Sequence, residues 1–317
     1  MDAVAGRWRD VGGEVVAPRA ATREQLARVH DASHLRRIAE TAGQAVALDP
    51  DTYTSPESYE TALLAAGAAV DAVERAMGDT HTTAFALVRP PGHHAERNRA
   101  MGFCLFNNIA VAAAHARTLG AGRIAIVDFD VHHGNGTQHL FERDPSILYV
   151  STHQYPYYPG TGAADELGMG DGTGFTVNVP IESGAVDGDY RLVFDEVVLP
   201  VLRQYRPDLL LVSAGFDAHE RDPLATMRVT AGGFGAMTMA LRAVAEETCG
   251  GRMALVTEGG YDLQALSASL EQAVRALAGP LSEPAWPVAA VAPVTTTRGS
   301  TASDRVKRAI APFWKVK

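Results

Sequence analysis

Ile124-Ala125-Ile126-Val127-Asp128-Phe129-Asp130-Val131-His132-His133-Gly134-Asn135-Gly136 is the stretch on which the fold turns. Its first four residues form an uninterrupted apolar run, the mark of a strand buried on both faces of a parallel sheet. Two acids and two histidines then crowd the positions where that strand should end. If the strand continues to His132, period-two alternation puts Asp128, Asp130 and His132 on one side, and Phe129, Val131 and His133 on the other. Three polar groups at the end of a buried strand need compensation, which a bound metal ion would supply. The plainer reading is the polar face of an edge strand, and the apolar run argues against it. A calcium EF-hand loop is excluded, because its glycine and glutamate positions, counted from Asp128, hold His133 and His139.

Working outward, similar runs recur at residues 84–88, 147–150, 209–212 and 253–256. Alanine-rich segments with helical periodicity lie between them, at 57–77, 107–118, 188–204 and 232–248. Strands alternating with helices predict βαβ units and a doubly wound parallel sheet, an α/β fold. The 317 residues contain no repeat, coiled coil or dividing linker, so a single domain is expected over 1–317. Residues 279–303, rich in Pro, Ala, Thr and Ser, read as linker-like. Residues 304–317 read as a terminal helix docked through Ile310, Phe313 and Trp314.

Composition narrows the function. A chain 46% hydrophobic and 21% charged is a well-buried globule. A net charge of −9 and a pI near 5.6 argue against nonspecific binding to nucleic acid or anionic membranes, and favour cationic substrates. Cys104 and Cys249 are too few for a disulfide framework or a thiolate zinc site, and read as small buried hydrophobes. The opening residues MDAVAGRWRDVGGEV lack the apolar core of a signal peptide, and no apolar run is long enough for a membrane span. A cytoplasmic location is therefore predicted.

Open parallel sheets bind ligands beyond the carboxyl ends of their strands, so the loops after these runs are where chemistry is expected. RPPGHHAERNRAMGFCLFN, residues 89–107, holds the tandem histidines His93 and His94 after a Pro-Pro-Gly turn and closes with Gly102-Phe103. It fits neither H-E-x-x-H nor the zinc deaminase pattern. LLLVSAGFDAHERDPL, residues 209–224, offers Asp217, and LVTEGGYDL, residues 255–263, offers Glu258 and Tyr261. Singly, each acid reads as a helix cap. Together the loops supply a carboxylate–imidazole–carboxylate set, two further histidines and a phenol, a complement suited to metal-assisted hydrolysis. A D-x-D glycosyltransferase reading of Asp128-Phe129-Asp130 leaves His93, His94 and Tyr261 without roles.

These segments also carry a family resemblance. RPPGHHAERNRAMGFCLFNN, IVDFDVHHGNGTQHLF, SAGFDAHERDPL and EGGYDL, with LYVSTHQYPYYPGTG between the second and third, resemble the zinc-dependent histone deacetylase family. The likeness is to class II enzymes and their bacterial relatives, and runs from about residue 18 to residue 277. It implies an arginase-like fold, with a central, mostly parallel, eight-stranded sheet flanked by helices. It implies zinc held by Asp130, His132 and Asp217, with a position left for water and substrate. His94 would be the general base and His93 its electrostatic companion. Asp128 would partner His93, and Asn135 would partner His94 where class I enzymes carry aspartate. Tyr261 would donate to the tetrahedral oxyanion.

The same resemblance gives Gly102 the substrate amide N–H, and makes Phe103 and Tyr158 aromatic walls around the lysine stem. Gly259 and Gly260 would let the backbone approach beside Tyr261. Asp128, Asp130, His132, Ser151 and Thr152 match the family's structural potassium site. His133 is left without a catalytic role, its side chain expected to point away. Leu224 stands where polyamine-selective relatives carry glutamate, which favours acetyl-lysine in proteins over small acetylated amines such as acetylpolyamines. Asp51 is a candidate rim carboxylate. A catalytically silent acyl-lysine binder is the reading from another class, and Tyr261 opposes it. An Asp₂His set accepts zinc or ferrous iron. With the likeness beginning near residue 18, either the start codon is misplaced or the family's usual first strand and rim loop are missing, and a lost strand would leave a sheet edge exposed.

Overall fold

Each apolar run becomes a strand of one parallel sheet. In chain order the strands are β1 (Thr83–Ala86), β2 (Ile124–Asp128), β3 (Ile147–Gln154), β4 (Thr176–Ile181), β5 (Leu209–Ala214) and β6 (Met253–Thr257). The computed structural model describes residue 6 and residues 8–78, 82–281, 286 and 297–316. Across the sheet the order is β1-β6-β5-β2-β3-β4, with every neighbouring pair parallel. Six strands among the described residues correct the expected eight. β4 lies outside the apolar runs picked out in the sequence.

The flanking helices are α1 (Arg23–Leu26), α2 (Ala32–Ala39), α3 (Ser58–Gly78), α4 (Asn108–Thr118), α5 (Asn135–Phe141), α6 (Asp187–Val193), α7 (Leu199–Tyr205), α8 (Ala231–Cys249), α9 (Leu263–Ala278) and α10 (Thr297–Ile310). Local chemistry sets their ends. Asn107 and Asp262 cap α4 and α9 by accepting from Ala110 N and Ala265 N, and Thr230 caps α8. Gly250, at φ 62°, closes α8 in the left-handed conformation that glycine adopts without strain. The helix expected over 188–204 is present but carries a π-helical turn, Phe194–Val198, just before Pro200, which lacks an amide donor.

Alternation along β2 sorts its side chains into two cores. Ile124 and Ile126 pack with the buried faces of α3 and α4, while Ala125 and Val127 join α8, α9 and the helices of residues 187–205. All four are buried, each of the isoleucines contributing about 1.5–3 kcal/mol from water exclusion. The result is three layers, helix–sheet–helix. At the C-terminus the helix begins at Thr297, not 304, so residues 297–303 of the supposed linker are helical. Residues 282–285 and 287–296 of that segment lie outside the described residues. Ile310 and Trp314 are buried as expected, and the Trp314 indole donates to Gly174 O at 2.7 Å, whereas Phe313 is exposed.

The chain runs from β2 outward through β3 to β4, then returns to lay β5 on the other side of β2. That reversal makes the β2/β5 junction a topological switch point, where a crevice opens beyond the strand ends. The loops after β1, β6, β5 and β2, four adjacent strands, all meet there.

Candidate active site and metal centre

Strand β2 stops at Asp128, so Asp130 and His132 sit on the following loop and not on the strand. Their alternation nevertheless survives. Phe129 and Val131 remain anchored in the apolar core, Phe129 N donates to Ser213 O at 3.2 Å, and Gln154 N donates to Val131 O at 2.9 Å. Asp130 and His132 are thereby turned into the crevice, and His133 is turned away. It is buried between Thr161 and Gln138, bonded at 2.7 and 2.9 Å.

Asp130 and His132 meet Asp217, delivered by the loop after β5. His132 Nδ1 lies 3.1 Å from Asp130 Oδ1 and 3.0 Å from Asp217 Oδ2, and one donor atom from each of the three residues falls within 4.8 Å of the others. This is the one cluster of three or more potential metal ligands among the described residues. The remaining carboxylate positions are fixed by backbone donors: Val131 N to Asp217 at 2.9 Å, His132 N and Gly259 N to Asp130 at 2.9 and 2.8 Å. Gly259 has no alternative here, since a Cβ would lie 2.2 Å from Asp217 Oδ2.

The electrostatics ask for a cation. Burial, followed by the neighbouring charge of Asp130, pushes the Asp217 carboxyl up to about 7. Burial would also raise Asp130, but His93 and His132 outweigh it and hold it low. Burial would lower His132, yet the two carboxylates overcome it and raise it well above its usual value. Two buried carboxylates sharing one imidazole therefore retain a proton between them, in the place where a divalent cation would satisfy all three. The donor set fits a catalytic zinc site with three protein ligands.

The paired histidines come from the loop after β1. Glu258, at the end of β6, clamps that loop by accepting from Gly92 N at 2.6 Å and His93 N at 3.1 Å, and from Ser213 Oγ at 2.9 Å. Burial pushes the Glu258 carboxyl up to about 7. The sequence singled out Glu258 as an acid of its loop without giving it this work. His93 Nδ1 lies 3.0 Å from Asp128 Oδ2, and His94 Nδ1 lies 2.8 Å from Asn135 Oδ1. Desolvation would lower His93, but the charges of Asp128, Asp130 and Glu258 prevail and push it up to about 10. His94 is held well below its usual value by burial and then by the positive charge of His93 and His132. One histidine is thus cationic and its neighbour neutral, with ring centres 4.1 Å apart.

Above this floor a cavity of about 210 Å³ is lined by His93, His94, Asp130, His132, Gly259 and Tyr261, and walled by Gly102, Phe103, Tyr158 and Leu224. Tyr261 is set by its own amide, which donates to Asp222 at 2.7 Å, and its ring meets Phe103 edge-on at 5.8 Å. Burial raises its phenol above the usual range. Gly102 and Phe103 both adopt positive φ, 57° and 66°, and a Cβ on Gly102 would strike the His94 ring at 2.3 Å. The Gly102 carbonyl accepts from Cys104 Sγ at 3.2 Å. Gly260, at φ 142°, packs toward Leu266 beside Tyr261. Asp51 does line the rim. Both cysteines are free and buried.

Tyr157 and Pro91 line the cavity but were not singled out in the sequence. Tyr157 stacks on His132 at 5.6 Å and donates to Leu224 O at 2.6 Å. Its position before Tyr158 was the available signal. Ser151 pairs in register with Asp128 across β2 and β3, and its hydroxyl lies 2.9 Å from His153 Nδ1. The buried hydroxyl of Thr152 has no hydrogen-bond partner among the described residues.

Residues 4–277 match the family model of the histone deacetylase domain, so the likeness reaches further toward the N-terminus than residue 18. Histone deacetylase 14, chloroplastic, of Arabidopsis thaliana is 42% identical over 272 residues, covering 82% of this chain and 64% of that protein. The human polyamine deacetylase HDAC10 is 40% identical over 319 residues, covering 95% of this chain and 46% of that protein. The crystal structure of the HDA15 HD domain has a TM-score of 0.89 at 40% identity, covering 99% of this chain and 86% of that one. The chain spans roughly half to two thirds of the length of the first plant relatives it matches, at 64%, 49% and 61%. No helix among the described residues is long and apolar enough to cross a membrane.

Proposed function

The chain belongs to the histone deacetylase family, and from that premise we propose that it is a zinc-dependent amidohydrolase removing acetyl groups from lysine side chains of proteins. The observation that carries the reading is the meeting of the Asp130–His132–Asp217 cluster with His93, His94 and Tyr261 in one cavity. Bound by those three ligands, zinc would supply Lewis-acid activation of water and of the amide carbonyl.

The protein's own groups do the rest. His94, neutral and bonded through Nδ1 to Asn135, takes the proton of the attacking water at Nε2 and returns it to the departing lysine amine. His93, cationic against Asp128, supplies positive charge beside it. The Tyr261 phenol hydrogen-bonds the oxyanion, a contact worth about 2.7–4 kcal/mol of transition-state stabilisation. Phe103 and Tyr158 enclose the methylene stem, and the Gly102 carbonyl takes the amide N–H. A structural potassium ion at Asp128, Asp130, His132, Ser151 and Thr152 belongs to the same proposal, supported by the family resemblance and by the register that sets Ser151 beside Asp128. A cytoplasmic location belongs to the same proposal, resting on the opening residues, which lack the apolar core of a signal peptide.

The second reading, an acetylpolyamine deacetylase, is favoured by the human relative of that name and opposed by Leu224 at the rim. A panel of acetyl- and longer acyl-lysine peptides, acetylated polyamines and small acetylated metabolites, offered to zinc-loaded protein, separates them. Acetyl-lysine peptides are expected to turn over fastest, and faster acetylpolyamine hydrolysis would install the second reading. Binding without hydrolysis of any substrate would leave a silent acyl-lysine receptor.

A further inference from the structure

Beyond Asn135 the hydrogen-bonded series that starts at His94 continues to the surface. Asn135 Nδ2 donates to Glu96 Oε1 at 2.6 Å, and His139 Nδ1, on the outer side of α5, lies 2.8 Å from the same oxygen. Glu96 stands two residues after His94, on the turn that closes with Glu96 N donating to Arg99 O at 2.9 Å, and its carboxylate is largely covered.

We propose that Glu96 is a positioning residue that decides which nitrogen of His94 carries the proton, acting through the orientation of the Asn135 amide. The inference rests on the reading of His94 as the general base. An amide side chain has nearly the same shape after a half-turn, which exchanges its oxygen, an acceptor, for its nitrogen, a donor. Shape therefore does not hold Asn135 in one orientation. Its neighbours on the outer side do. A carboxylate accepts hydrogen bonds and cannot donate them, and the other group there, Met101 Sδ at 3.6 Å, is also an acceptor. The amide nitrogen must face them, so the oxygen faces His94.

A facing oxygen obliges His94 Nδ1 to carry the ring hydrogen. Nε2, on the pocket side, then keeps the lone pair that a base requires. With the amide reversed, its N–H would meet Nδ1, the hydrogen would move to Nε2, and the base would be blocked. His93 obtains the same control directly, because its partner Asp128 is itself a carboxylate. In the His94 relay the carboxylate stands one amide further out.

Glu96→Gln tests this, because glutamine is isosteric and can offer a donor, releasing the half-turn of Asn135. Zinc-loaded protein labelled with ¹⁵N-histidine reports the His94 tautomer by two-bond ¹⁵N–¹H correlation, with His94→Gln identifying the signal. The wild type is expected to hold the Nδ1–H form, and Glu96→Gln to acquire the Nε2–H form. The same variant should lose about tenfold in kcat with KM and bound zinc unchanged. Placing aspartate at 135 removes the half-turn altogether. In the Asn135→Asp background, adding Glu96→Gln should leave the tautomer fixed and change kcat less than about twofold. An unaltered tautomer in Glu96→Gln overturns the proposal, and so does an equal loss of kcat in both backgrounds. A wild type that hydrolyses no acetyl-amide would refute the proposed function, while the spectra would still decide the role of Glu96.

Discussion

At the floor of the pocket three of the four carboxylate oxygens of Asp130 and Asp217 accept a hydrogen bond from a backbone N–H, whereas at the rim Phe103 and Leu224 are 40% and 37% exposed. Backbone donors on the loops after β2 and β6 hold carboxylates on the loops after β2 and β5, so neither carboxylate can shift without disturbing another loop. The rim consists of side chains that touch one another and solvent. Chemistry and selectivity are thus held by different kinds of contact, and substitutions should separate them.

The floor is expected to fail first and hardest. Asp217→Ala should strip the metal and reduce turnover by at least about a thousandfold. Metal analysis of the purified variant checks it, and stoichiometric zinc would refute the ligand assignment. Tyr261→Phe should lower kcat by about 10²–10³ while leaving zinc content intact. Equal turnover would remove the phenol from the mechanism. Gly259→Ala forces a methyl against Asp217 Oδ2, 2.2 Å away, and should weaken zinc binding about 10–100-fold in a chelator competition. Undiminished affinity would mean that the floor yields as readily as the rim. Leu224→Glu, at the rim, should shift the ratio of acetylpolyamine to acetyl-lysine turnover about tenfold toward the polyamine, with zinc content unchanged. A loss of metal in that variant would erase the distinction between the two regions.

The floor was also the more legible region in the sequence. Asp130 and His132 could be paired by alternation although the strand ends before them, because Phe129 and Val131 keep the two-residue period by burial and by single backbone hydrogen bonds to β5 and β3. Asp217 and Tyr261 were readable because each follows an apolar run into a loop. β4 was hidden by Asn178 and Pro180, which look like strand breakers. Pro180 is tolerated because β4 lies at the sheet edge, where one side of the strand needs no amide donors. Helix α9 follows the last strand and so fell outside the strand-by-strand reading, though Asp262 and the spacing of Leu266, Leu270, Val274 and Leu277 mark it. Glu96 was invisible for a different reason. Its partner Asn135 is 39 positions away, and no periodicity links two residues that only the closing of the sheet brings together.

The return of the chain to lay β5 beside β2 has a consequence in time. Asp130 and Asp217 are 87 residues apart in the sequence, and no stretch ending before β5 holds the complete ligand set. On the proposed ligation, metal uptake would await one of the longest-range contacts in the sheet, the slow kind of pairing in folding. With zinc held as proposed, its acquisition during refolding would be a clock for the docking of β5, and a nascent chain halted after β4 would emerge with two of the three proposed ligands and no grip on the ion.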